Sequence, residues 1–190
     1  SSHILSQKEI LEREYAEAGI SMSGSPWASV DRELEGYATA DFIEVPSIFA
    51  VDSFRARGLP NEKLIRTGMG VDLSSFFKIE NSEKSFTVIN VGSLNLRKGI
   101  RYLYNGLKLI PKSVNTNFVH VGIVEEFEEN LDWSALAVPV TFKGPQPQFK
   151  LNEFYSLASV FILPTLEDGF GMVLTQAMAC GLPIICTENC

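Results

Sequence analysis

Short apolar segments that alternate with helical patterns are the feature that most constrains how this chain can fold. "TVINV" (87–91) and "SVFIL" (159–163) are mostly apolar on successive residues. A strand with one solvated face would show a polar residue at every second position, so these runs indicate a parallel sheet that is buried on both faces. Helical spacing between such runs predicts an α/β fold with helices on both faces of the sheet.

Six strands and three helices are predicted in this part of the chain. The helices are placed at 99–108, 148–158 and 172–180. Ligands of such sheets bind beyond the carboxyl ends of the strands, so the loops that follow the strands are the candidate site. The predicted strands are Leu64–Thr67, Phe86–Val91, Asn117–Val121, Val138–Phe142, Val160–Leu163 and Leu182–Cys186.

The first 64 residues are predicted to form a separate, mainly helical part. Ser6 and Glu9 match a capping box that would open a helix, and Gly19 would end it. A second amphipathic helix, a short strand in "DFIEVPS" and a third helix that stops at Gly58 follow. "GLPNEKLIRTGMGVD" reads as a linker, which predicts one domain over 1–64 and another over 65–190.

Composition excludes some classes of function. The 190 residues carry a formal net charge of −7, which disfavours nonspecific binding to nucleic acid. Residues 1–64 account for −5 of this charge, so the charge of residues 65–190 does not exclude binding of a small anionic ligand there. No apolar run is long enough to cross a membrane. Cys180 and Cys186 lie in apolar context outside any C-x-x-C pattern, which predicts buried, reduced thiols in a cytosolic protein.

The first candidate loop is "VGSLNLRKGIRYL". A strand runs into Gly92 and a helix opens near Gly99, an arrangement that presents free backbone amides to an anion. Arg97, Lys98 and Arg101 add cations. The segment is neither a GxGxxG turn nor a P-loop, and an ordinary turn with a solvated basic face is the alternative.

The second candidate loop is "LEDGFGMVLTQAMACGLP", Leu166–Pro183. Gly169 and Gly171 permit a close backbone approach. Asp168 lies near the loop tip and Gln176 in the following helix, and a carboxylate with an amide suits sugar hydroxyls. The alternatives are a carboxylate that stabilises a helix dipole and a solvated glutamine.

Lesser candidates follow other strands of the same sheet. Gly122 and Gly144 point to the same rim, and His120 alternates within its strand as a core histidine would. The acidic run Glu125–Glu129 is interpreted as a solvated helix face. No cluster has the spacing of a metal site.

Four segments in order resemble the retaining glycosyltransferases of the GT-B fold, often called family four or group one. They are "ADFIEVPS", "GVDLSSF", "VGSLNLRKGIRYL" and "PTLEDGFGMVLTQAMACGLPII", and the resemblance covers roughly residues 38–188. It implies two facing Rossmann-like domains, with 1–64 as the end of the acceptor domain and 65–190 as a donor domain incomplete at its C-terminus. The chain would then be a fragment.

The resemblance also implies roles for single residues. The family has two glutamates that flank Gly-Phe-Gly, and Asp168 and Gln176 stand at these positions. Lys98 matches a lysine on the donor pyrophosphate, whereas Ser93 replaces a common arginine that Arg97 would compensate. Lys98 and Asp168 are therefore the predicted catalytic residues. The predicted donor-binding residues are Gly92, Ser93, Arg97, Gly122, Gly144, Gly169, Phe170, Gly171 and Gln176.

The implied reaction transfers a sugar from a nucleotide diphosphate sugar, of unspecified base, to an acceptor with retention. No metal or other cofactor is expected. The acceptor is a carbohydrate, a lipid-linked molecule or a small molecule, and the fragment alone is expected to be inactive. The location expected is cytoplasmic, with peripheral membrane contact through the N-terminal domain left open.

Two alternatives stay open beside this reading. Ser93 and Gln176 fit a noncatalytic nucleotide-sugar-binding or regulatory module. Another Rossmann-type protein, such as an epimerase or dehydrogenase, is disfavoured by the missing GxGxxG.

Overall fold

The computed structural model describes residues 1–22, 27–80, 85–125 and 131–190. These residues form helices and short parallel strands, joined by turns. The helices are α1 (Ile4–Ala18), α2 (Val30–Thr39), α3 (Ile48–Arg55), α4 (Ile100–Lys108), α5 (Leu151–Ser156) and α6 (Met172–Ala179). The strands are β1 (Ile43–Val45), β2 (Leu64–Arg66), β3 (Phe86–Val91), β4 (Thr116–Val121), β5 (Val140–Phe142), β6 (Val160–Leu163) and β7 (Ile184–Cys186).

The chain divides into two compact units. Unit 1 comprises Ser1–Met69, Thr165–Gly171 and Glu188–Cys190. Unit 2 comprises Gly70–Pro164 and Met172–Thr187. The assignment of 1–64 to an acceptor domain and of 65–190 to a donor domain stays a prediction.

Unit 2 is built on a five-stranded sheet of order β5-β4-β3-β6-β7. Every neighbouring pair is parallel, and β3 pairs with β4 in register from Phe86↔Thr116 to Val91↔Val121. Residues 87–91 of the central strand β3 are buried in succession, which requires cover on both faces. The predicted α/β fold with a parallel sheet is confirmed.

Different side chains cover the two faces. On one face, Phe118 of β4 stacks on Trp133 with ring centroids 6.3 Å apart, and Trp133 meets Tyr104 of α4 edge-on at 5.2 Å. On the other face, strand residues pack against α5 and α6 in a cluster that includes Ile89, Val91, Phe161, Leu163, Tyr155 and Ala177. These contacts hold α4 against one side of the sheet and α5 and α6 against the other.

Two predicted strands begin two residues later than the sequence pattern indicates, and proline is the reason. β5 begins at Val140 and β7 at Ile184, so each starts directly after a proline, which has no N–H for a ladder hydrogen bond. The prolines still accept through their carbonyls. Phe118 N donates to Pro139 O at 2.8 Å, and Phe161 N donates to Pro183 O at 2.9 Å.

The structure corrects three further predictions, for a helix, a strand and a cysteine. The predicted helix 148–158 is a 3-10 turn over Gln148–Lys150 followed by α5. β2 pairs with β1 in unit 1, so it does not extend the sheet of unit 2. Cys180 is buried as predicted, but the prediction for Cys186 is wrong, because β7 is an edge strand and leaves that thiol exposed. Of the run Glu125–Glu129, all but Glu125 lies outside the described residues.

Unit 1 packs α3 and the two short strands around a small core. Val45, Ala50 and Phe54 are buried there, and Tyr37 of α2 meets Phe54 edge-on with centroids 4.9 Å apart. None of the helices that the structure describes is long and apolar enough to span a bilayer.

The predicted capping box at Ser6 is wrong, because α1 begins three residues earlier than expected for a Ser6 cap. His3 is the N-cap, and its Nδ1 accepts a hydrogen bond from Leu5 N at 3.2 Å. Ser6 and Glu9 lie inside the helix, and both bind Arg57 through its guanidinium. Gly19 ends α1 in the left-handed conformation, as predicted.

Gly99 is required where the loop after β3 enters α4. Its φ is +77°, and an added Cβ would lie 1.9 Å from the carbonyl oxygen of Pro164. We expect Gly99→Ala to lower the free energy of unfolding by about 2–4 kcal/mol, since strain and overpacking both contribute. Thermal melting of the variant measures this effect.

Gly106→Ala is the matched control, because Gly106 lies inside α4 with open space around it. Alanine there should be neutral or stabilise by up to ~1 kcal/mol. A Gly99→Ala protein that melts within about 2 °C of wild type would contradict the close approach to Pro164.

Candidate functional site

A cavity of about 560 Å³ opens at the carboxyl ends of β3 and β4 in unit 2. Apolar side chains of both strands and of α6 line part of it, including Val91, Val121 and Met172. Polar groups come from the loops and from α6. The predicted residues that line this cavity are Gly92, Ser93, Gly122 and Gln176.

Three predicted glycines meet at this end of the sheet. Gly92 and Gly122 adopt φ of +122° and +149°, and an added Cβ on Gly122 would lie 1.8 Å from Gly92 O. Gly122 N donates to Gly144 O at 3.0 Å, and Gly92 N donates to Val121 O at 2.9 Å. Any side chain at 122 would therefore push the strand ends apart. At this position the cavity is therefore lined by backbone and not by a side chain.

The loop after β3 is held by its own polar contacts. Asn95 Oδ1 accepts from Lys98 N at 2.9 Å, and Asn95 Nδ2 donates to Glu125 Oε2 at 3.0 Å. Arg97 and Lys98 are half-buried. Ser93 is the part of this loop that lines the cavity together with Gly92, and the roles predicted for Lys98 and Arg97 stay predictions.

The loop that carries Asp168 belongs to unit 1 and is fixed by a buried carboxylate that the sequence analysis missed. Glu167 is fully buried and accepts hydrogen bonds at 2.8 Å from Ser2 Oγ and from Gln7 Nε2. Asp168 N donates to Asn189 O at 2.9 Å. Sequence alone offered no signal for Glu167, because its partners come from a distant segment. The catalytic role of Asp168 stays a prediction.

The glycines beside Asp168 are enclosed in the same unit. Gly169 and Gly171 are buried and Phe170 is half-buried. An added Cβ on Gly169 would lie 2.6 Å from the backbone of Ser1. This contact gives Gly169 a packing reason to be glycine, and the predicted contacts of Gly169–Gly171 with a donor stay predictions.

Gln176 is an interior residue of α6 and lines the cavity. Only 7% of it is exposed, and its Oε1 accepts a hydrogen bond from Tyr155 Oη at 3.0 Å. The alternative of a solvated helix residue is therefore wrong. Gln176 thus adds a largely buried amide to the cavity wall, beside the apolar Met172 and Val173 of the same helix.

His120 is a neutral, buried residue of β4 and directly precedes Val121, which lines the cavity. Its Nδ1 is 3.0 Å from Asn90 Oδ1, and Asn90 Nδ2 donates to Ile162 O at 2.7 Å. Because Asn90 Oδ1 can only accept, His120 Nδ1 carries the proton. Nε2 is buried, with no hydrogen-bond partner among the described residues. Burial lowers the pKa of His120 from its usual value to about 4, because the charged form would lose its hydration.

In the described part of the chain, no three His, Cys, Asp or Glu side chains lie close enough together to hold a metal ion. The polar side chains that line the cavity are the hydroxyl of Ser93 and the carboxamides of Gln146, Gln148 and Gln176, beside the backbone of Gly92 and Gly122. Such groups recognise hydroxyl, carbonyl and phosphate oxygens.

Acid should destabilise this protein through His120. Its folded pKa of about 4 lies below the unfolded value of 6.5, so the stabilisation is complete above pH 6.5 and is lost as the pH falls towards 4. The loss amounts to about 3 kcal/mol. Denaturant unfolding at pH 7, 5.5 and 4 measures it.

His120→Asn is the control, since its amide retains a donor for Asn90 Oδ1 and does not titrate. The variant keeps the acid effects of the carboxylates but should lose the His120 contribution. Equal pH dependence in wild type and variant would contradict a neutral, buried His120.

Comparison with known proteins gives one family. The model of the family described as "Glycosyl transferases group 1" matches residues 72–190. Sulfoquinovosyl transferase SQD2 of Arabidopsis thaliana is 26% identical over 172 residues, which cover 84% of this chain and 32% of that protein. O-antigen chain mannosyltransferase B of Escherichia coli is 25% identical over 104 residues, covering 52% of this chain and 27% of that protein. The chain thus spans about a third or less of these relatives.

Solved structures share the fold. Sucrose-phosphate synthase from Thermosynechococcus elongatus superposes with a TM-score of 0.71 at 24% identity, over 88% of this chain and 46% of that one. HepE from Anabaena, solved with UDP-glucose, gives a TM-score of 0.66 at 19% identity, over 79% of this chain and 45% of that one. At these identities the likeness concerns the fold alone.

Proposed function

The chain belongs to the glycosyl transferases group 1 family, and we propose that it is the donor-binding part of an enzyme that uses a nucleotide diphosphate sugar. The observation that carries this proposal is the cavity of about 560 Å³ at the carboxyl ends of β3 and β4. Ligands of open parallel sheets bind at this edge, and the volume lies within the range of small-molecule sites.

The lining suits a nucleoside better than a bare anion. Val121, Ile123 and Met172 offer apolar surface to a flat base. Ser93 and Gln176 offer hydrogen bonds to the hydroxyls of a ribose. HepE was solved in complex with UDP-glucose, a ligand in which a base and a ribose are joined to a diphosphate and a sugar. This supports a ligand of the same class for this chain.

In the proposed reaction, the bond between the anomeric carbon and the diphosphate breaks and a bond to an acceptor oxygen forms with retention. The proton of the acceptor hydroxyl passes to the leaving diphosphate, which departs as the nucleoside diphosphate. Lys98 and the backbone amides near Gly92 and Gly171 would stabilise the charge that develops on the leaving diphosphate. Asp168 would contact the transferred sugar. These roles rest on the match between residues 72–190 and the family.

We propose that the acceptor binds to a domain of which residues 1–64 form only the C-terminal end. The acceptor is a carbohydrate, a lipid-linked molecule or a small molecule. The protein is proposed to be cytoplasmic and to contact the membrane peripherally if its acceptor is lipid-linked. On this proposal the chain of 190 residues alone is inactive in transfer.

A noncatalytic nucleotide-sugar-binding module is the second candidate. The observation that favours it is Gln176, an uncharged and largely buried amide where the family has a carboxylate. An amide forms weaker hydrogen bonds to hydroxyls than an ionised carboxylate. A longer form of the protein that binds a nucleotide sugar, yet neither transfers nor hydrolyses it, would identify this function.

Thermal shift with UDP, GDP, ADP and their common sugar conjugates tests the proposal. A nucleotide at 100 times its dissociation constant adds ~2.7 kcal/mol. For a chain of this size that raises the melting midpoint by roughly 5–11 °C. We expect one base to give this shift and the others to give little.

Lys98→Ala and Lys108→Ala form a matched pair for this experiment. Lys98 precedes α4, whereas Lys108 ends it and lies 5.3 Å from the centre of the Tyr104 ring. Loss of the shift in Lys98→Ala and its retention in Lys108→Ala would support the diphosphate contact. A wild-type chain that shifts with none of these ligands would contradict donor binding.

A further inference from the structure

Tyr155 and Gln176 form a buried polar pair inside the apolar cluster of unit 2. Tyr155 is fully buried, and among the described residues its hydroxyl has one hydrogen-bond partner, Gln176 Oε1 at 3.0 Å. Ile89 and Ala177 belong to the same cluster. Tyr155 is not part of the cavity wall, whereas Gln176 is. The pair therefore connects the core to the site.

The direction of this hydrogen bond follows from the chemistry of the two groups. Burial raises the pKa of Tyr155 above its usual range, so the hydroxyl keeps its proton. That proton needs an acceptor, and the carboxamide oxygen supplies it. In the flipped amide the hydroxyl would accept from Nε2 and its own proton would be buried without an acceptor, which costs more than an ordinary hydrogen bond contributes.

With Oε1 occupied, the amide nitrogen is the group left for a ligand. Nε2 of Gln176 donates to none of the residues that the structure describes, and only 7% of this residue is exposed. The cavity it lines is the opening through which a partner can reach it.

We propose that Tyr155 is a positioning residue that holds the Gln176 carboxamide with its N–H groups towards the cavity, so that this position recognises a hydrogen-bond acceptor on the ligand. The inference rests on the proposed function for the identity of that ligand. A ribose oxygen or a base carbonyl would satisfy it. A glutamate at this position would instead accept hydrogen bonds from hydroxyls, so the polarity of recognition is reversed here.

The first test observes the amide itself. In the ¹⁵N-labelled chain, the side-chain NH₂ of Gln176, assigned by its absence in Gln176→Met, should be ordered without any ligand. Tyr155→Phe removes only the hydroxyl, and these resonances should then become mobile and exchange faster with water. Tyr104→Phe is the control, since it removes a hydroxyl that donates to Asp132 O on the other face of the sheet. Unchanged Gln176 resonances in Tyr155→Phe would overturn the proposal.

The second test is a double-mutant cycle on nucleotide affinity, measured by calorimetry with UDP or with whichever of GDP and ADP binds. Tyr155→Phe should weaken binding about 3- to 10-fold, as expected for one disordered hydrogen bond. In a Gln176→Met background it should change the affinity by less than about 1.5-fold, because no amide is left to position. Tyr104→Phe should leave affinity unchanged.

The outcomes separate the two proposals. Equal effects of Tyr155→Phe in both backgrounds would mean that it acts only through the fold and would overturn the positioning role. A wild-type chain that binds none of the three nucleotides overturns the proposed function alone, because the Gln176 resonances still decide whether Tyr155 holds the amide.

Discussion

The parallel pairing of β3 with β4 is the constraint from which the candidate site follows. The register runs to Val91↔Val121, so the next residues, Gly92 and Gly122, leave the sheet side by side. Their backbones approach so closely that no side chain fits at 122. A shift of one residue would replace this glycine pair by bulkier neighbours and turn each side chain to the other face. The cavity thus depends on the register of one strand pair.

Buried hydrogen-bonded groups neighbour the residues that line the cavity, since Asn90 precedes Val91 and His120 precedes Val121. Asn90 joins His120 to the carbonyl of Ile162, and Tyr155 joins Gln176 to the core. In a low dielectric, such bonds fix orientation because an unpaired group is costly. The core therefore determines which atom of Gln176 a ligand can meet. Packing and recognition are linked through single hydrogen bonds.

The sheet could be predicted from the sequence, because burial on both faces leaves a direct trace in runs such as 87–91. The start of α1 could not. Ser6 and Glu9 match a capping box, but Arg57 binds both from 51 and 48 residues away along the chain, and His3 caps the helix. Local patterns do not contain such partners.

The site shows the same division between local and distant information. The spacing of α6 predicts that Gln176 has a place at the strand ends, yet its partner Tyr155 lies 21 residues earlier on another helix. The Gly-Phe-Gly motif points to Asp168, whereas the neighbouring Glu167 is the carboxylate that is fully buried. Its partners Ser2 and Gln7 lie at the other end of the chain. Which of two adjacent acids is enclosed is decided by the fold and not by the motif.

Mapping a nucleotide onto the backbone resonances tests the central claim most directly. With UDP, or the nucleotide that binds, the largest amide shifts should fall on residues at the strand ends, in particular Gly92, Ser93, Gly122 and Gln176. The aromatic face of the sheet around Trp133 should stay unchanged. Shifts concentrated on that face or in β1 and β2, with none at the two glycines, would contradict a ligand site at the carboxyl ends of β3 and β4.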